Sequence, residues 1–155
     1  MMEPLNFSFD VSCPQERAFD LWANRIDTWW PTDHTVSGSK DVKVVLESGV
    51  GGRIFERTAE GEEHDWGEVT AWEPPQQLSY LWHIGSDRSD ATSVTVRFLS
   101  KGPSDTTIQI EHDGWERLGA RAEERRNRNS DGWQSLVTYY QAATSSITNF
   151  TEGKQ

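Results

Sequence analysis

Eight tryptophans occur in a chain of 155 residues, and most of them lie within a few residues of Gly or Pro. Clear cases are Trp29-Trp30-Pro31, Asp65-Trp66-Gly67 and Trp72-Glu73-Pro74-Pro75. Because Gly and Pro interrupt helices and strands, each of these positions marks an element boundary that carries a large rigid ring. The chain must therefore fold as short elements around a core built from a few large aromatic side chains.

The net charge of −10 limits the classes of partner. Nucleic acids and anionic membranes need a basic surface, which an acidic chain does not offer overall. The one basic run, residues 117–128, is interrupted by Glu123 and Glu124, which favours a solvated helical face over an anion site. We expect no secretory signal, and the sequence has no apolar run of about 18 residues. We expect no nucleic-acid and no membrane partner.

Length and cysteine content indicate a small domain and are compatible with a reducing compartment. At this size roughly 70% of the unfolded surface can be buried, which allows one real core. We expect a single domain over 1–155, with its core at about 5–148 and a disordered tail over 150–155. Cys13 is the only cysteine and permits no internal disulfide. A cytoplasmic monomer or homodimer is expected.

Hydrophobic periodicity predicts seven strands and a first helix. Alternation over 7–11 predicts the first strand, and the following helix is expected to begin with a capping box formed by Ser12 and Gln15. Turn residues separate the remaining predicted strands, which are 42–48, 52–58, 63–73, 77–85, 92–100 and 105–112.

The C-terminal part of the chain carries a helical pattern. Trp133, Leu136, Val137 and Tyr140 recur at i, i+3, i+4 and i+7, with Ile147 one further repeat on, and predict an amphipathic helix over 131–148. Together the elements predict an α+β domain in which a long helix lies in the concave face of a curved antiparallel sheet. A cavity between sheet and helix is the expected consequence.

The ordered motifs carry a resemblance to a known family. They are Trp29-Trp30-Pro31 with His34, Gly51-Gly52-Arg53-Ile54-Phe55-Glu56, Asp65-Trp66-Gly67-Glu68-Val69, Trp72-Glu73-Pro74-Pro75, Leu78, Trp82, Glu111-His112-Asp113-Gly114-Trp115 and Gly132-Trp133. This set resembles the activator of heat-shock-protein-90 ATPase homologue-like family, within the START-like, Bet v 1-like (SRPBCC) superfamily of helix-grip folds. The resemblance covers about residues 5–148. It implies a deep, mostly apolar pocket but no single chemistry, because members bind lipids, hormones or polyketides and some are enzymes.

Strand period predicts which side chains face this pocket. Leu78, Tyr80, Trp82 and Ile84 share one face, which is expected to point inward. The strand 63–73 is ambiguous, because Trp66 lies on the side of polar Glu68. The predicted ligand-binding residues are Trp30, His34, Ile54, Glu56, Trp66, Leu78, Tyr80, Trp82, Val96, Phe98, Ile110, His112, Trp133 and Val137.

Three polar residues of this set could also act in acid–base chemistry. For His112 and His34 the alternative is a structural or solvated histidine, and for Glu56 it is an ion pair with an arginine. The clusters 62–65 and 111–113 suggest metal binding at first sight, but adjacent strand residues point to opposite faces. No metal and no cofactor are therefore predicted.

Two main functions follow from these observations. The first is a non-catalytic module that binds a small apolar or aromatic molecule, and the second is a cyclase- or hydrolase-like enzyme that uses His112, His34 or Glu56. Convergence of two such groups would favour the enzyme. A co-chaperone would instead need an exposed apolar patch on the outer sheet face. A chain whose first strand begins near Leu5 leaves no room for the additional N-terminal domain of the family's co-chaperone, so a chaperone partner is not favoured.

Overall fold

The computed structural model describes residues 3–153, and the side chains of residues 3–145. Within this part, all seven predicted strands are confirmed with small differences at their ends. They are β1 Leu5–Val11, β2 Lys43–Leu46, β3 Arg53–Arg57, β4 Glu63–Glu73, β5 Gln77–Trp82, β6 Thr92–Gly102 and β7 Asp105–Asp113. All neighbours pair antiparallel in one sheet of order β1-β7-β6-β5-β4-β3-β2.

Two α-helices and four short 3₁₀ turns complete the described chain. The α-helices are α1 Gln15–Ala23 and α2 Ala122–Gly153, and the 3₁₀ turns are Ile26–Thr28, Thr32–His34, Arg88–Asp90 and Trp115–Arg121. The curved sheet and the long α2 form the expected α+β helix-grip architecture. The side chain of Ile147 and residues 154–155 of the predicted tail lie outside the described part, so the tail over 150–155 stays a prediction.

Both helix starts differ from the sequence prediction. Pro14, not Ser12, is the N-cap of α1, and the Gln15 amide donates to Phe98 O at 2.7 Å instead of closing a capping box. Helix α2 begins at Ala122 rather than at 131, and the non-helical backbone of Gly119, with φ of 58° and ψ of −125°, makes a kink in the preceding turn three residues earlier. The first part of α2 is polar, so an apolar period could not reveal it.

Two β-bulges in β4 account for its ambiguous period. Trp66 is an extra residue opposite β3, and Thr70 is an extra residue opposite β5. Each extra residue reverses the side to which the following side chains point. Trp66 and Val69 are therefore buried, and Trp72 packs against the same core, although simple alternation would place Val69 opposite to the two tryptophans.

Aromatic rings fill most of the space between the sheet and the helices. Trp22 of α1 lies at the centre, and its ring centroid is 4.8 Å from Tyr140, 5.1 Å from Trp29 and 6.1 Å from Trp133. Tyr140 also donates a hydrogen bond to Ala18 O at 2.7 Å, which ties α2 to α1. The interior between the sheet and the helices is therefore largely a packed core.

The outer face of the sheet is polar and charged in the described part of the chain. Phe55 is the large apolar residue on this side of β3, and the guanidinium carbon atoms of Arg53 and Arg57 lie 4.1 and 5.3 Å from its ring centroid. Glu63 pairs with both arginines. Among the described residues, this face carries no broad apolar patch. A co-chaperone would need such a patch to bind its partner.

Candidate functional site

An open cleft of about 380 Å³ lies where the end of β5, the turn Thr32–His34 and the first half of α2 meet. Its wall contains Trp30, His34, Trp82, Ile84, Arg125, Arg128, Asn129, Asp131, Gly132, Trp133 and Leu136. The inner part of the wall is made of indole rings and aliphatic side chains, whereas charged residues of α2 lie at the rim. The cleft thus combines an apolar floor with a polar edge.

Hydrogen bonds of the indole nitrogens fix the aromatic walls. Trp30 Nε1 donates to His34 O at 2.9 Å, and Trp133 Nε1 donates to His112 Nδ1 at 2.9 Å. Trp82 packs against Trp30 with a centroid separation of 5.7 Å. Because each ring is held by neighbours, the wall exists before any ligand binds, and little side-chain entropy would be lost on binding.

His112 is a buried structural residue. An indole N–H only donates, so the bond from Trp133 leaves Nδ1 without a proton and places the proton on Nε2, which lies 2.6 Å from Thr92 Oγ1. The Thr92 hydroxyl in turn donates to Trp82 O at 3.3 Å. Burial lowers the pKa of His112 to about 3. Both ring nitrogens are occupied, and the neutral ring joins α2 to β6 and β7.

Glu56 is also fully buried, and it is not paired with an arginine as the sequence alternative supposed. Its carboxylate accepts hydrogen bonds from the backbone N–H groups of Val36 and Ser37 and from Trp66 Nε1. Burial alone would raise the pKa of Glu56, but these donors outweigh it and hold the pKa below its ordinary value. An ionised carboxylate with this set of partners anchors the loop after Thr32–His34 to β3.

The third acid–base candidate, His34, lies in the cleft wall. Its Nδ1 is 2.9 Å from Asp33 Oδ1, and Asp33 is largely exposed. Within the described residues, no hydrogen bond joins His34, His112 and Glu56 to one another. The convergence that acid–base catalysis requires is therefore not present in this arrangement.

Two arginines of α2 form the basic part of the rim. Arg125 Nη1 donates to Ser86 Oγ at 3.1 Å. Among the described residues, no carboxylate lies within ion-pair distance of Arg125 or Arg128. Burial and the nearby charge of Arg128 lower the pKa of Arg125. These side chains belong to the basic run that the sequence reading assigned to a solvated face.

The structure separates the fourteen predicted site residues into two groups. Those in the cleft wall are Trp30, His34, Trp82 and Trp133. Those outside it, packed in or against the core, are Ile54, Glu56, Trp66, Leu78, Tyr80, Val96, Phe98, Ile110, His112 and Val137. Ligand contact stays a prediction for all fourteen residues, and the second group does not line the cleft.

Sequence reasoning missed most of the α2 side of the cleft. Ile84 and Leu136 carried a usable signal, because one continues the alternation of Trp82 and the other shares the helical stripe of Trp133. Arg125 and Arg128 carried only the signal of a basic run. Their position could not be derived, because the polar start of α2 was not recognised as part of the same helix.

Metal and thiol chemistry find little support in the described residues. No group of three or more His, Cys, Asp or Glu side chains there is arranged to hold a metal ion. Cys13 is buried, and its burial raises the pKa of the thiol to about 11, which disfavours the reactive thiolate. No described helix is both long and apolar enough to span a bilayer.

A seven-stranded curved sheet that grips a long C-terminal helix, with an aromatic cleft at one end, defines a helix-grip domain of the START-like, Bet v 1-like class. The family model described as "Activator of Hsp90 ATPase homolog 1-like protein" matches residues 12–140. The chain belongs to this family. A comparison with curated protein sequences gives no match.

Solved structures show the same fold in proteins with different roles. CalC from Micromonospora echinospora, a self-sacrificing resistance protein, aligns with a TM-score of 0.68 and 22% identity over 94% of this chain and 96% of its own. The anthrahydroquino-γ-pyrone synthase Txn09 aligns with 0.58 and 26% over 79% and 84%. PFC0360w, an HSP90 activator from Plasmodium falciparum, aligns with 0.51 and 19% over 72% and 73%.

Proposed function

We propose that the protein binds a small molecule with an aromatic or apolar body in the cleft between β5 and α2. The observation that carries the proposal is the cleft itself, which Trp30, Trp82 and Trp133 line with three indole rings. A volume of about 380 Å³ lies within the range of small-molecule sites. Flat rings held by packing offer a stacking surface at low entropic cost.

The related structures support a function that involves small molecules. They do not favour one particular reaction. Txn09 is a synthase and CalC is a resistance protein, so the shared fold serves an enzyme and a protective protein alike. In this chain Glu56 and His112 use their polar atoms inside the core. The acid–base alternative therefore reduces to His34 alone, and binding is the function supported best.

The co-chaperone alternative finds less support. PFC0360w is an HSP90 activator of the same fold, but its identity of 19% supports the fold only. The outer sheet face of this chain presents Arg53, Arg57 and Glu63 around Phe55 instead of an open apolar surface. A chaperone partner is not part of the proposal.

The proposal is tested by titration with the neutral dye N-phenyl-1-naphthylamine, whose emission rises in apolar surroundings. Saturation near one dye per chain is expected. Gly132→Leu should weaken binding about tenfold or more, because Gly132 lines the cleft and a Cβ there meets nothing within 4 Å, so the added side chain enters the open space without disturbing the core.

The matched control is Asn127→Leu, which places the same side chain on an exposed position of α2 that is not part of the cleft wall. Its affinity for the dye should equal that of the unchanged protein. Absence of saturable binding would refute the proposed function. Equal binding by the Gly132 variant would show that the dye binds somewhere else.

A further inference from the structure

The cleft rim concentrates positive charge on an acidic protein. The chain has a net charge of −10, and yet Arg125 and Arg128 both line the same small cleft. Most other arginines whose contacts are known are neutralised, as Arg53 is by Glu63 and Asp65. The two arginines next to the three indole rings therefore differ from most others in the chain, because they lack an ion-pair partner among the described residues.

Asp90, a carboxylate near Arg125, is already engaged in an ion pair. Asp90 forms a two-point ion pair with Arg121, with Nη2–Oδ1 and Nη1–Oδ2 distances of 2.8 and 3.3 Å. Arg121 is thereby neutralised one turn before Arg125. Among the described residues, the cleft wall offers only Asp131 as a counter-charge, and its carboxylate is not within ion-pair distance of Arg128.

Arg125 is positioned by a neutral hydroxyl group and not by an ion pair. Its Nη1 donates to Ser86 Oγ, whose own proton goes to His83 O at 2.9 Å. A hydroxyl oxygen fixes the direction of the guanidinium but leaves its full charge and its remaining N–H donors available. The half-buried position strengthens any interaction with an anion, because water screens it less than at an open surface.

We infer that the ligand of this cleft carries an anionic group, such as a carboxylate or a phenolate, which Arg125 and Arg128 bind while the aromatic body lies against the indole rings. The inference rests on the proposed function and specifies its ligand class. Guanidinium groups form paired charge-assisted hydrogen bonds with planar oxyanions, and an anion relieves the repulsion between two neighbouring arginines. Burial, and after it the charge of nearby Arg128, lowers the pKa of Arg125.

Two probes of nearly equal shape test the inference. We compare 2-naphthoate with 2-naphthamide by calorimetry at low salt, where the two differ mainly in charge. The naphthoate should bind about tenfold tighter or more. Arg128→Gln and Arg125→Gln should each weaken naphthoate binding by about tenfold and leave naphthamide within about twofold.

Two further variants separate local from general electrostatics. Asp131→Asn removes the opposing charge in the cleft wall and should strengthen naphthoate binding. Arg17→Gln changes the net charge by the same amount as the rim variants, but on exposed α1, outside the cleft wall, and should leave both affinities unchanged. Added salt should weaken the binding of naphthoate only.

Each outcome is decisive. Equal affinity for both probes, or equal loss of both in the arginine variants, would overturn the anion inference and leave the proposed function standing. A loss in Arg17→Gln equal to that in Arg128→Gln would overturn it as well, since general charge would then explain the preference. Binding of neither probe would overturn the proposed function together with the inference.

Discussion

Single buried polar residues determine how the aromatic core of this protein is ordered. His112 accepts from Trp133 and donates toward Thr92, and Glu56 gathers two backbone amides and one indole N–H. Both residues look catalytic in the sequence because they are polar groups on inward strand faces. Their partners come from distant segments of the chain, which no local pattern reveals.

The neutral state of His112 predicts a pH-dependent stability. Its pKa falls from 6.5 to about 3 on folding, so the unfolded chain binds an extra proton between these values. The contribution of the neutral His112 to stability is complete above pH 6.5 and is lost as the pH falls toward 3. Between pH 6.5 and about 4.5 the free energy of unfolding should decrease by about 1.4 kcal/mol per pH unit at most.

His112→Gln checks this in urea titrations across that pH range. The amide oxygen of glutamine can accept from Trp133 and its NH₂ can donate to Thr92, but the side chain does not titrate. The pH-dependent part of the unfolding free energy should shrink in the variant, whatever its stability at pH 7.5. An identical slope in both proteins would assign the pH dependence to other groups.

At the scale of elements, β4 shows where regular periodicity ends. Its two bulges turn Trp66, Val69 and Trp72 to one side and bring β4 against β5 at Gly67. A Cβ at Gly67 would lie 1.9 Å from Leu81 O, so only glycine fits. The close approach follows from the pairing of two strands and not from the sequence of one.

Gly67→Ala is therefore expected to cost roughly 3 kcal/mol of unfolding free energy, because the strands must separate to admit the methyl group. Gly132→Ala is the matched control within α2. Nothing lies within 4 Å of its Cβ position, so the gain in helix propensity should stabilise the protein by about 0.5–1 kcal/mol. Thermal and urea melts of both variants compare the two effects directly. A Gly67 variant as stable as the unchanged protein would disprove the close approach.

The sequence predicted the number, order and type of the strands and the inward face of β5, because alternation and turn residues are local signals. It did not predict where space remains. Inward residues such as Leu78 and Phe98 are fully buried, and Phe98 packs against Phe19 of α1, so these positions leave no room for a ligand. The open cleft depends on where α2 begins. The first part of α2 is polar and has no apolar stripe, so the sequence pattern did not reveal it.

For the whole molecule, the cleft and the core share one aromatic network. Trp82 belongs to both: it is buried, lies 5.7 Å from both Trp30 and Trp66 and 5.6 Å from Tyr80, and lines the cleft. Stability and binding are therefore coupled through the same rings. A change that enlarges the site must also weaken the core.

Trp82→Ala tests this coupling. The variant should lose about 3–5 kcal/mol of unfolding free energy, since most of the ring is packed. If it stays folded, the enlarged cleft should prefer bulkier aromatic probes to N-phenyl-1-naphthylamine. Leu99→Ala removes an exposed apolar side chain outside the cleft and should change the stability by less than about 0.5 kcal/mol. Unchanged stability and unchanged probe preference in the Trp82 variant would contradict the coupling.

The same rings also give the protein a distinctive photophysics. Six of the eight tryptophans form a continuous path with centroid separations of 5.1 to 6.1 Å, which runs from Trp133 through Trp22, Trp29 and Trp30 to Trp66 and Trp82. At such separations excitation migrates between indoles before light is emitted. The rings at the two ends of the path, Trp133 and Trp82, both line the cleft. One bound molecule that quenches either ring therefore also lowers the emission of tryptophans that it does not contact.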